Sequence, residues 1–147
     1  MFRGRYVHTI DAKNRMSLPM AFRQALERSS DRPPILTNAY DCLELHCFED
    51  WEAFEERIVA IADVDPEAQA YARMMISGAT ECPIDKQGRI LVPPHLRAYA
   101  ALEREVTLAG CGRKIEIWDN ARFEAKFNET HARFEQMAIS VAGKLRN

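Results

Sequence analysis

The sequence predicts an α+β fold made of two tandem copies of one small β-rich module, each decorated by helices. Three observations support this prediction: an internal repeat, turn-forming residues between short apolar strands, and amphipathic stripes at helical spacing. We expect the first module to cover residues 1–76, including a helical extension. The second module then covers residues 77–147 and ends in a long helix.

The internal repeat is the strongest of these observations. Residues 4–23 align with residues 78–97 when the sequence is shifted by 74 positions. Six aligned pairs are identical, namely Gly4/Gly78, Ile10/Ile84, Asp11/Asp85, Arg15/Arg89, Pro19/Pro93 and Arg23/Arg97. Residues 42–46 match residues 114–118 at a shift of 72, which indicates a shorter loop in the second copy. The chain is therefore a tandem duplication.

Each copy contains a turn that an aspartate opens and an arginine follows. Residues 11–14 form this turn in the first copy, and residues 85–88 form it in the second. Its last position is Asn14 in one copy and Gly88 in the other, and these two residue types adopt a positive φ most readily. The substitution predicts a hairpin closed by a type I turn with a bulge. The opening aspartate of each copy is expected to accept hydrogen bonds from backbone N–H groups of the turn.

The remaining short elements are predicted from residue patterns. Strands are expected at residues 5–10, 15–18, 35–38, 42–48, 89–92, 105–110 and 113–118. Short helices are expected at residues 20–26 and 94–102, because a proline ends the strand before each of them.

Longer helices are expected to close each copy. In the first copy an apolar stripe begins at Trp51, and Asp65 with Pro66 then begins a further helix. In the second copy a single long helix begins at Asp119 or Asn120. The stripe of this helix consists of Phe123, Phe127, His131 or Thr130, Phe134, Ala138 and Val141. We interpret the aromatic stripes as core or subunit-interface residues.

The charge distribution limits the class of protein. The chain has 147 residues and a formal net charge of −2, so it is not a uniformly basic protein that coats nucleic acid. Residues 1–28 hold six basic and two acidic side chains, whereas residues 49–69 hold one basic and eight acidic ones. Any contact with DNA is therefore expected to come from local basic patches.

Several classes of protein are not expected. No apolar region typical of a signal peptide follows the first charged residues, and no apolar run approaches the roughly 20 residues needed to cross a bilayer. The cysteines form no Cys-x-x-Cys pair and are expected to be reduced thiols. Because no nucleophile, cofactor loop or metal-ligand spacing is apparent, we expect no enzyme, no cofactor and no metal site.

The turn residues also have other interpretations. Asp11 and Asp85 could form a paired-carboxylate acid–base site, but aspartates that open turns are far commoner. Arg15 and Arg89 could simply pair with these aspartates and stiffen the turns. The second arginine of the pattern, Arg23 in the first copy and Arg97 in the second, is interpreted as a helix-surface or structural residue.

A zinc site is a further alternative. The candidate ligands Cys42, His46 and Cys47 lie close together in the sequence. A strand would place Cys47 on the face opposite the other two side chains, so zinc binding is disfavoured.

The two copies of the pattern Asp-x-x-x-Arg-x-x-x-Pro-x-x-x-Arg resemble the paired signature segments of the MraZ family. The pattern comprises Asp11, Arg15, Pro19 and Arg23 in the first copy and Asp85, Arg89, Pro93 and Arg97 in the second. Residues 1–4 and His8 also resemble the start of this family, and the similarity covers essentially the whole chain. Asn14 departs from the pattern, which favours glycine at this position.

The resemblance implies both a fold and a function. Each half would be an AbrB-like swapped-hairpin β-barrel module, and the chain would assemble into a homo-oligomeric ring. It would be a sequence-specific, DNA-binding transcriptional regulator that recognises G-rich direct repeats upstream of the division and cell-wall gene cluster as an autorepressor. The expected partners are double-stranded DNA and further copies of the chain, with no membrane and no small-molecule substrate. The expected location is the cytoplasm, in association with the nucleoid.

The resemblance also assigns DNA contacts. Arg15 and Arg89 match the family's DNA-contacting arginines, whose planar forks can bond guanine O6 and N7 together. Lys13 and Lys86 lie on the same turns and are expected to contact phosphates. The other expected DNA contacts are Asn14, Gln87, Arg3 and Arg5, whereas Asp11, Asp85 and Gly88 are expected to shape the turns.

Two alternative functions stay open at this point. The first is a ring-forming protein-interaction scaffold without sequence-specific DNA binding. It leaves the turn arginines without an evident role beyond pairing with the aspartates. The second is an AbrB-like or antitoxin-like regulator of other genes. The duplication argues against the second alternative, since such proteins usually carry one module.

Overall fold

The computed structural model describes residues 1–146, which form an α+β fold of eight strands and six helices. The strands are β1 (Arg5–Thr9), β2 (Arg15–Ser17), β3 (Ile35–Asn38), β4 (Leu43–His46), β5 (Thr80–Glu81), β6 (Arg89–Leu91), β7 (Glu105–Gly110) and β8 (Lys114–Asp119). The helices are α1 (Met20–Ser29), α2 (Phe48–Ala62), α3 (Pro66–Ser77), α4 (Pro94–Tyr99), α5 (Asn120–Ala132) and α6 (Phe134–Leu145). The predicted α+β class is confirmed.

Strands of the two repeats interleave. Six strands form one antiparallel sheet in the order β1-β7-β8-β4-β3-β5, and β2 and β6 form a separate two-stranded ribbon. β1 of the first repeat pairs with β7 of the second, so that Arg5 lies opposite Ala109 and Thr9 lies opposite Glu105. The repeats therefore share one sheet. The boundary near residue 76 stays a prediction about the modules.

A closed barrel in each module is not found among the strand pairings of the described residues. The strand pairings among residues 1–146 leave β1 and β5 as open edges of the large sheet. The hairpin expected between β1 and β2 is likewise reduced to one bridge, between Ile10 and Met16. The physical reason is that each of these strands finds its ladder partner in the other repeat, β7 for β1 and β6 for β2.

One face of the large sheet carries the main core. Side chains alternate between the faces of a strand, and β4 and β8 direct their aliphatic residues to this side. Met16 and Ile90 of the ribbon, each 1% exposed, pack here together with Phe22 of α1 and Leu96 of α4. Because both repeats contribute to this core, it holds the ribbon in a fixed place over the sheet.

Helices α2, α3 and α5 cover the opposite face. Ile35 of β3 packs there against Trp51 of α2 and Met75 of α3. At the other side of the same face, Trp118 of β8 packs against Phe123 of α5. The acidic segment 49–69 thus lies on the face of the sheet away from the ribbon.

The helix starts agree with the sequence better than the helix ends. Asp65 caps α3 as predicted, since its carboxylate accepts a hydrogen bond at 3.2 Å from the backbone N–H two residues later. Helix α4 ends at Tyr99 because Ala101 adopts a positive φ of 53°. The single long C-terminal helix is wrong: Arg133, with φ −117° and ψ 12°, separates α5 from α6.

Helix α6 belongs to neither the main core on one face of the large sheet nor the helices that cover the opposite face. Four large apolar residues along one side of it are exposed, at 62%, 37%, 49% and 80% for Phe134, Met137, Val141 and Leu145 respectively. No other part of residues 1–146 covers this stripe. Within the same residues, no helix combines the length and the apolar character that crossing a bilayer requires.

Candidate nucleic-acid interface

The ribbon of β2 and β6 presents one face to solvent. Met16 and Ile90 point into the core, so the residues beside them point outward. The outward residues are Arg15, Ser17, Arg89 and Leu91, with Arg15 opposite Leu91 and Ser17 opposite Arg89. Both arginines, one from each repeat, therefore stand on a single exposed surface.

The two aspartate turns lie at opposite ends of this ribbon. We call residues 11–15 turn 1 and residues 85–89 turn 2. The N–H of Val92 donates to the Asn14 carbonyl at 2.8 Å, and the N–H of Leu18 donates to the Gly88 carbonyl at 2.9 Å. The ladder thus continues into each turn and ties it to the strand of the other repeat.

The two turns have nearly the same internal geometry. In turn 1, Asp11 Oδ1 accepts from the N–H groups of Lys13 (2.9 Å) and Arg15 (2.8 Å). In turn 2, Asp85 Oδ1 accepts from the second and fourth following N–H groups, both at 2.9 Å. Asn14 has φ 65° and Gly88 has φ 79°. The positive φ and the bonds to the aspartates are therefore present as predicted.

Each arginine pairs with the aspartate of its own turn. Arg15 Nε lies 3.0 Å from Asp11 Oδ2, and Arg89 Nε lies 3.1 Å from Asp85 Oδ2. The Nη atoms of both arginines make no hydrogen bond to any of residues 1–146. The aspartate thus holds the Nε end of each guanidinium and leaves the two Nη groups open to a ligand.

Backbone contacts keep these aspartates ionised. The N–H of Arg15 is the largest influence on Asp11 and holds the pKa of that carboxyl below its usual range. The N–H of Arg89 lowers the pKa of Asp85 in the same way. Two carboxylates that are each committed to their own turn have no free proton to transfer. The geometry therefore favours a turn-shaping role over acid–base chemistry.

The remaining turn residues predicted to contact DNA differ in how exposed they are. Lys13, Lys86 and Gln87 are exposed on the turns. Asn14 is half-buried, and its side-chain oxygen accepts a hydrogen bond from Arg97 at 2.9 Å. The Asn14 side chain is thus used within the protein.

Arg3 and Arg5 are not brought to turn 1. The guanidinium of Arg5 lies 4.6 Å from the centre of the Phe127 ring of α5. The backbone of Arg3 lies against Gly110, at the end of the sheet away from turn 1. Asp11 is six positions after Arg5 along this extended segment, and at about 3.3 Å per residue this is roughly 20 Å. The basic residues counted in residues 1–28 therefore do not form a single patch, because the extended strand β1 separates Arg3 and Arg5 from turn 1.

The sequence did not indicate that arginines of one repeat act on the turn of the other. Arg97 of α4 reaches turn 1, where its Nη1 donates to the Asp11 carbonyl at 2.7 Å and to Asn14 Oδ1 at 2.9 Å. Arg23 of α1 lies against turn 2, so that a Cβ at Gly88 would be 2.8 Å from its Nη1. The sequence feature that could have indicated these contacts is the shared position of Arg23 and Arg97, each four residues after a proline.

The cysteine and histidine cluster is occupied by other contacts. His46 and Lys114 hydrogen-bond to Glu44 at 3.0 Å and 2.9 Å. Burial raises the pKa of Glu44, but these bonds outweigh it and hold the pKa below its ordinary value. Burial raises the pKa of the Cys42 and Cys47 thiols. Within the described residues, no group of three His, Cys, Asp or Glu side chains is placed to hold a metal ion.

Known proteins match both repeats of the chain. The sequence model of a family described as "MraZ protein, putative antitoxin-like" matches residues 1–74 and again residues 75–146. Three similar relatives are each named Transcriptional regulator MraZ. The relative from Desulfitobacterium hafniense (strain DSM 10664 / DCB-2) is 44% identical over 122 residues, which are 82% of this chain and 82% of the relative.

The other two relatives cover nearly the full length. The relative from Solidesulfovibrio magneticus is 43% identical over 146 residues, which are 95% of this chain and 96% of the relative. The relative from Heliobacterium modesticaldum is 41% identical over 140 residues, or 94% of each chain. The chain therefore belongs to the MraZ family, whose members compared with it are transcriptional regulators and not enzymes.

Proposed function

We propose that this chain is a sequence-specific DNA-binding regulator that represses its own promoter. Its targets are G-rich direct repeats upstream of the division and cell-wall gene cluster, and it acts in the cytoplasm on the nucleoid. One observation carries the proposal: two matched turns place Arg15 and Arg89 on the exposed face of a single ribbon. The closed-barrel part of the family resemblance is not needed for this function.

The chemistry of the two arginines suits guanine. A guanidinium fork can donate to guanine O6 and N7 together, and each such contact contributes about 1–3 kcal/mol of discrimination against other bases. Arg15 and Arg89 are diagonal neighbours on the ribbon, and such neighbours are about 7–8 Å apart. Successive bases on one strand are about 3.4 Å apart, so the two arginines can contact the same short run of guanines.

Lysine side chains supply the sequence-independent part of binding. Lys13 and Lys86 are exposed beside the arginines, where they can contact phosphates on either side of the bases. Arg5 lies against Phe127 of α5, on the face of the sheet away from the ribbon, so it does not share these phosphates with the lysines. Arg3 is proposed to contact phosphates outside turn 1. The acidic helices lie behind the sheet, and charges separated by more than about 8 Å are largely screened at physiological salt.

A ring-shaped homo-oligomer completes the proposal. One ribbon offers few base contacts, whereas several ribbons on several repeats gain about 10²–10⁴ in avidity where the spacings match. The uncovered apolar stripe of α6 supports assembly, because a stripe of this kind is stabilised when a second copy of the chain covers it.

Fluorescence anisotropy tests the proposal. One labelled duplex carries three or four G-rich repeats spaced by one helical turn, and a second duplex has the same composition in scrambled order. We expect Arg15→Ala and Arg89→Ala each to lose part of the preference for the repeats, by up to about 1–3 kcal/mol. Arg57→Ala is the matched control, because its side chain is exposed on α2, on the face of the sheet away from the ribbon. This control should keep the preference.

The opposite result favours a different function. If the unmodified protein is assembled but binds both duplexes equally, or neither, sequence-specific regulation is wrong. The protein-interaction scaffold then becomes the better explanation of the exposed α6 stripe. If the protein prefers other operators over G-rich repeats, an antitoxin-like regulator of other genes is favoured instead.

A further inference from the structure

Turn 1 is held by a side chain of the second repeat. Arg97 uses all three of its guanidinium nitrogens, and Nη1 donates twice to turn 1, to the Asp11 carbonyl and to Asn14 Oδ1. Its Nε donates to the Leu102 carbonyl at 3.0 Å, and Nη2 donates to the Glu103 carbonyl. These last two bonds anchor the guanidinium to the segment between α4 and β7. Turn 1 is therefore bonded to a guanidinium that the second repeat holds through two backbone carbonyls, one of them of the buried Leu102.

Turn 2 lacks the equivalent bonds. Arg23 occupies the matching position, but its Nε pairs with Glu27 of its own helix at 2.7 Å. Its Nη1 lies against Gly88, and within residues 1–146 Arg23 makes no hydrogen bond to turn 2. The aspartate bonds of the two turns are alike, so the difference between the turns lies in this arginine of the opposite repeat.

The residue at the positive-φ position adds to the difference. Glycine populates positive and negative φ about equally, so Gly88 leaves turn 2 with more backbone freedom. Asn14 has fewer conformations available, and its side chain is the acceptor that Arg97 uses. Both turns are tied to the other repeat by one ladder bond, but only turn 1 also has a side-chain tether and a non-glycine residue at its positive-φ position.

We propose that the two turns read DNA unequally, with Arg97 as the positioning residue that pre-organises turn 1 for the larger share of base discrimination. A group that is already held in its bound conformation loses less entropy on binding, so more of its interaction appears as affinity. Turn 2 contributes contacts that adapt to the DNA and discriminate less. This inference rests on the proposed function, because it requires that Arg15 and Arg89 read bases.

The first test compares the two base-reading arginines. The ratio of affinities for repeat and scrambled duplexes is measured for Arg15→Ala and for Arg89→Ala. We expect Arg15→Ala to lower this ratio about ten-fold or more. The fold-loss in Arg89→Ala should be several times smaller. Equal losses overturn the inequality and leave the proposed function standing. No loss in either variant overturns the proposed function itself.

The second test separates positioning from general stability. Asn14→Gly removes the side-chain acceptor of turn 1 and gives its positive-φ position the residue found in turn 2. Arg97→Lys leaves the backbone of turn 1 unchanged and keeps the charge without the fork that bonds the turn. Each substitution is made in three backgrounds: the unmodified protein, Arg89→Ala and Arg15→Ala. We expect both substitutions to lower the ratio several-fold in the first two backgrounds and to cause no further loss in Arg15→Ala. A general loss of stability would instead lower binding in all three backgrounds, which would overturn the positioning role. Arg23→Lys is the matched control and should leave the ratio unchanged.

Amide hydrogen exchange of the free protein gives a readout that does not need DNA. In Asn14→Gly we expect faster exchange at the Arg15 N–H, which bonds to Asp11, and unchanged exchange at the Arg89 N–H, which bonds to Asp85. Unchanged exchange at both positions would overturn the tethering role of Arg97.

Discussion

At the residue scale, the turns show how a structural ion pair can also prepare a binding group. Asp11 bonds the backbone of its turn through Oδ1 and the Nε of Arg15 through Oδ2. An arginine held at Nε keeps two Nη groups available, and it has already lost much of the rotamer freedom that binding would otherwise restrict. Pairing with aspartate and contact with guanine are therefore compatible roles for Arg15.

The ionisation of the turn aspartates gives a pH dependence of definite sign. The backbone N–H of Arg15 lowers the pKa of Asp11 in the folded protein. An aspartate of lowered pKa adds stability that is present above its unfolded pKa of about 3.9 and is lost as pH falls through the folded value. We expect turn 1 to be unchanged between about pH 6 and 8 and to loosen only below about pH 4. An NMR titration of the Asp11 carboxyl measures this directly.

Asp11→Asn is the control for this titration. The amide keeps an oxygen for the backbone N–H groups but carries no charge, so the acid transition of turn 1 should disappear while that of Asp85 persists. A midpoint above about pH 4 for Asp11 would contradict the assigned hydrogen bonds.

At the scale of the elements, local patterns predicted what local contacts determine. The start of α3 follows from Asp65 and Pro66, whose capping and fixed φ act within one turn of chain. The pairing of β2 with β6 does not follow from either sequence segment alone, since each segment is equally compatible with a hairpin partner. The Arg97 contact with turn 1 is hidden for the same reason, because it joins residues 83 positions apart.

The cap of α3 supplies a prediction at this scale. Asp65→Ala removes the acceptor for the first turn of the helix, and N-cap losses of this kind cost about 1 kcal/mol. Urea denaturation should show this loss in the free energy of unfolding, while the preference for G-rich DNA stays unchanged because α3 lies on the far face of the sheet. Asp63→Ala, two residues earlier and outside the cap, should cost little. Equal losses in both variants would contradict the capping role.

At the scale of the whole molecule, interleaving explains how a duplicated sequence presents one surface. The ribbon joins both turns through paired strands, and its buried side rests on a core to which both repeats contribute. Two separately folded repeats joined by a linker would let the arginines move independently. The shared sheet and the ribbon ladder instead fix their separation, which is the condition for reading one short run of bases along a DNA strand.

Assembly depends on a different surface, the stripe on α6. Phe134, Met137 and Val141 follow one another at spacings of three and four residues and so share one side of the helix. Ile139 is two residues from Val141, so it faces away from the stripe although it is 68% exposed. The helix therefore offers two exposed apolar residues that differ mainly in the side they occupy.

This difference gives a matched test of the ring. Val141→Glu places a charge in the stripe, and we expect light scattering after gel filtration to show smaller assemblies than the unmodified protein forms. Affinity for multi-repeat DNA should then fall by up to about 10²–10⁴ as avidity is lost, while binding to a single repeat stays the same. Ile139→Glu should keep both the assembly and the affinity. If the two variants behave alike, α6 does not join the subunits, and the avidity must arise from another surface of the chain.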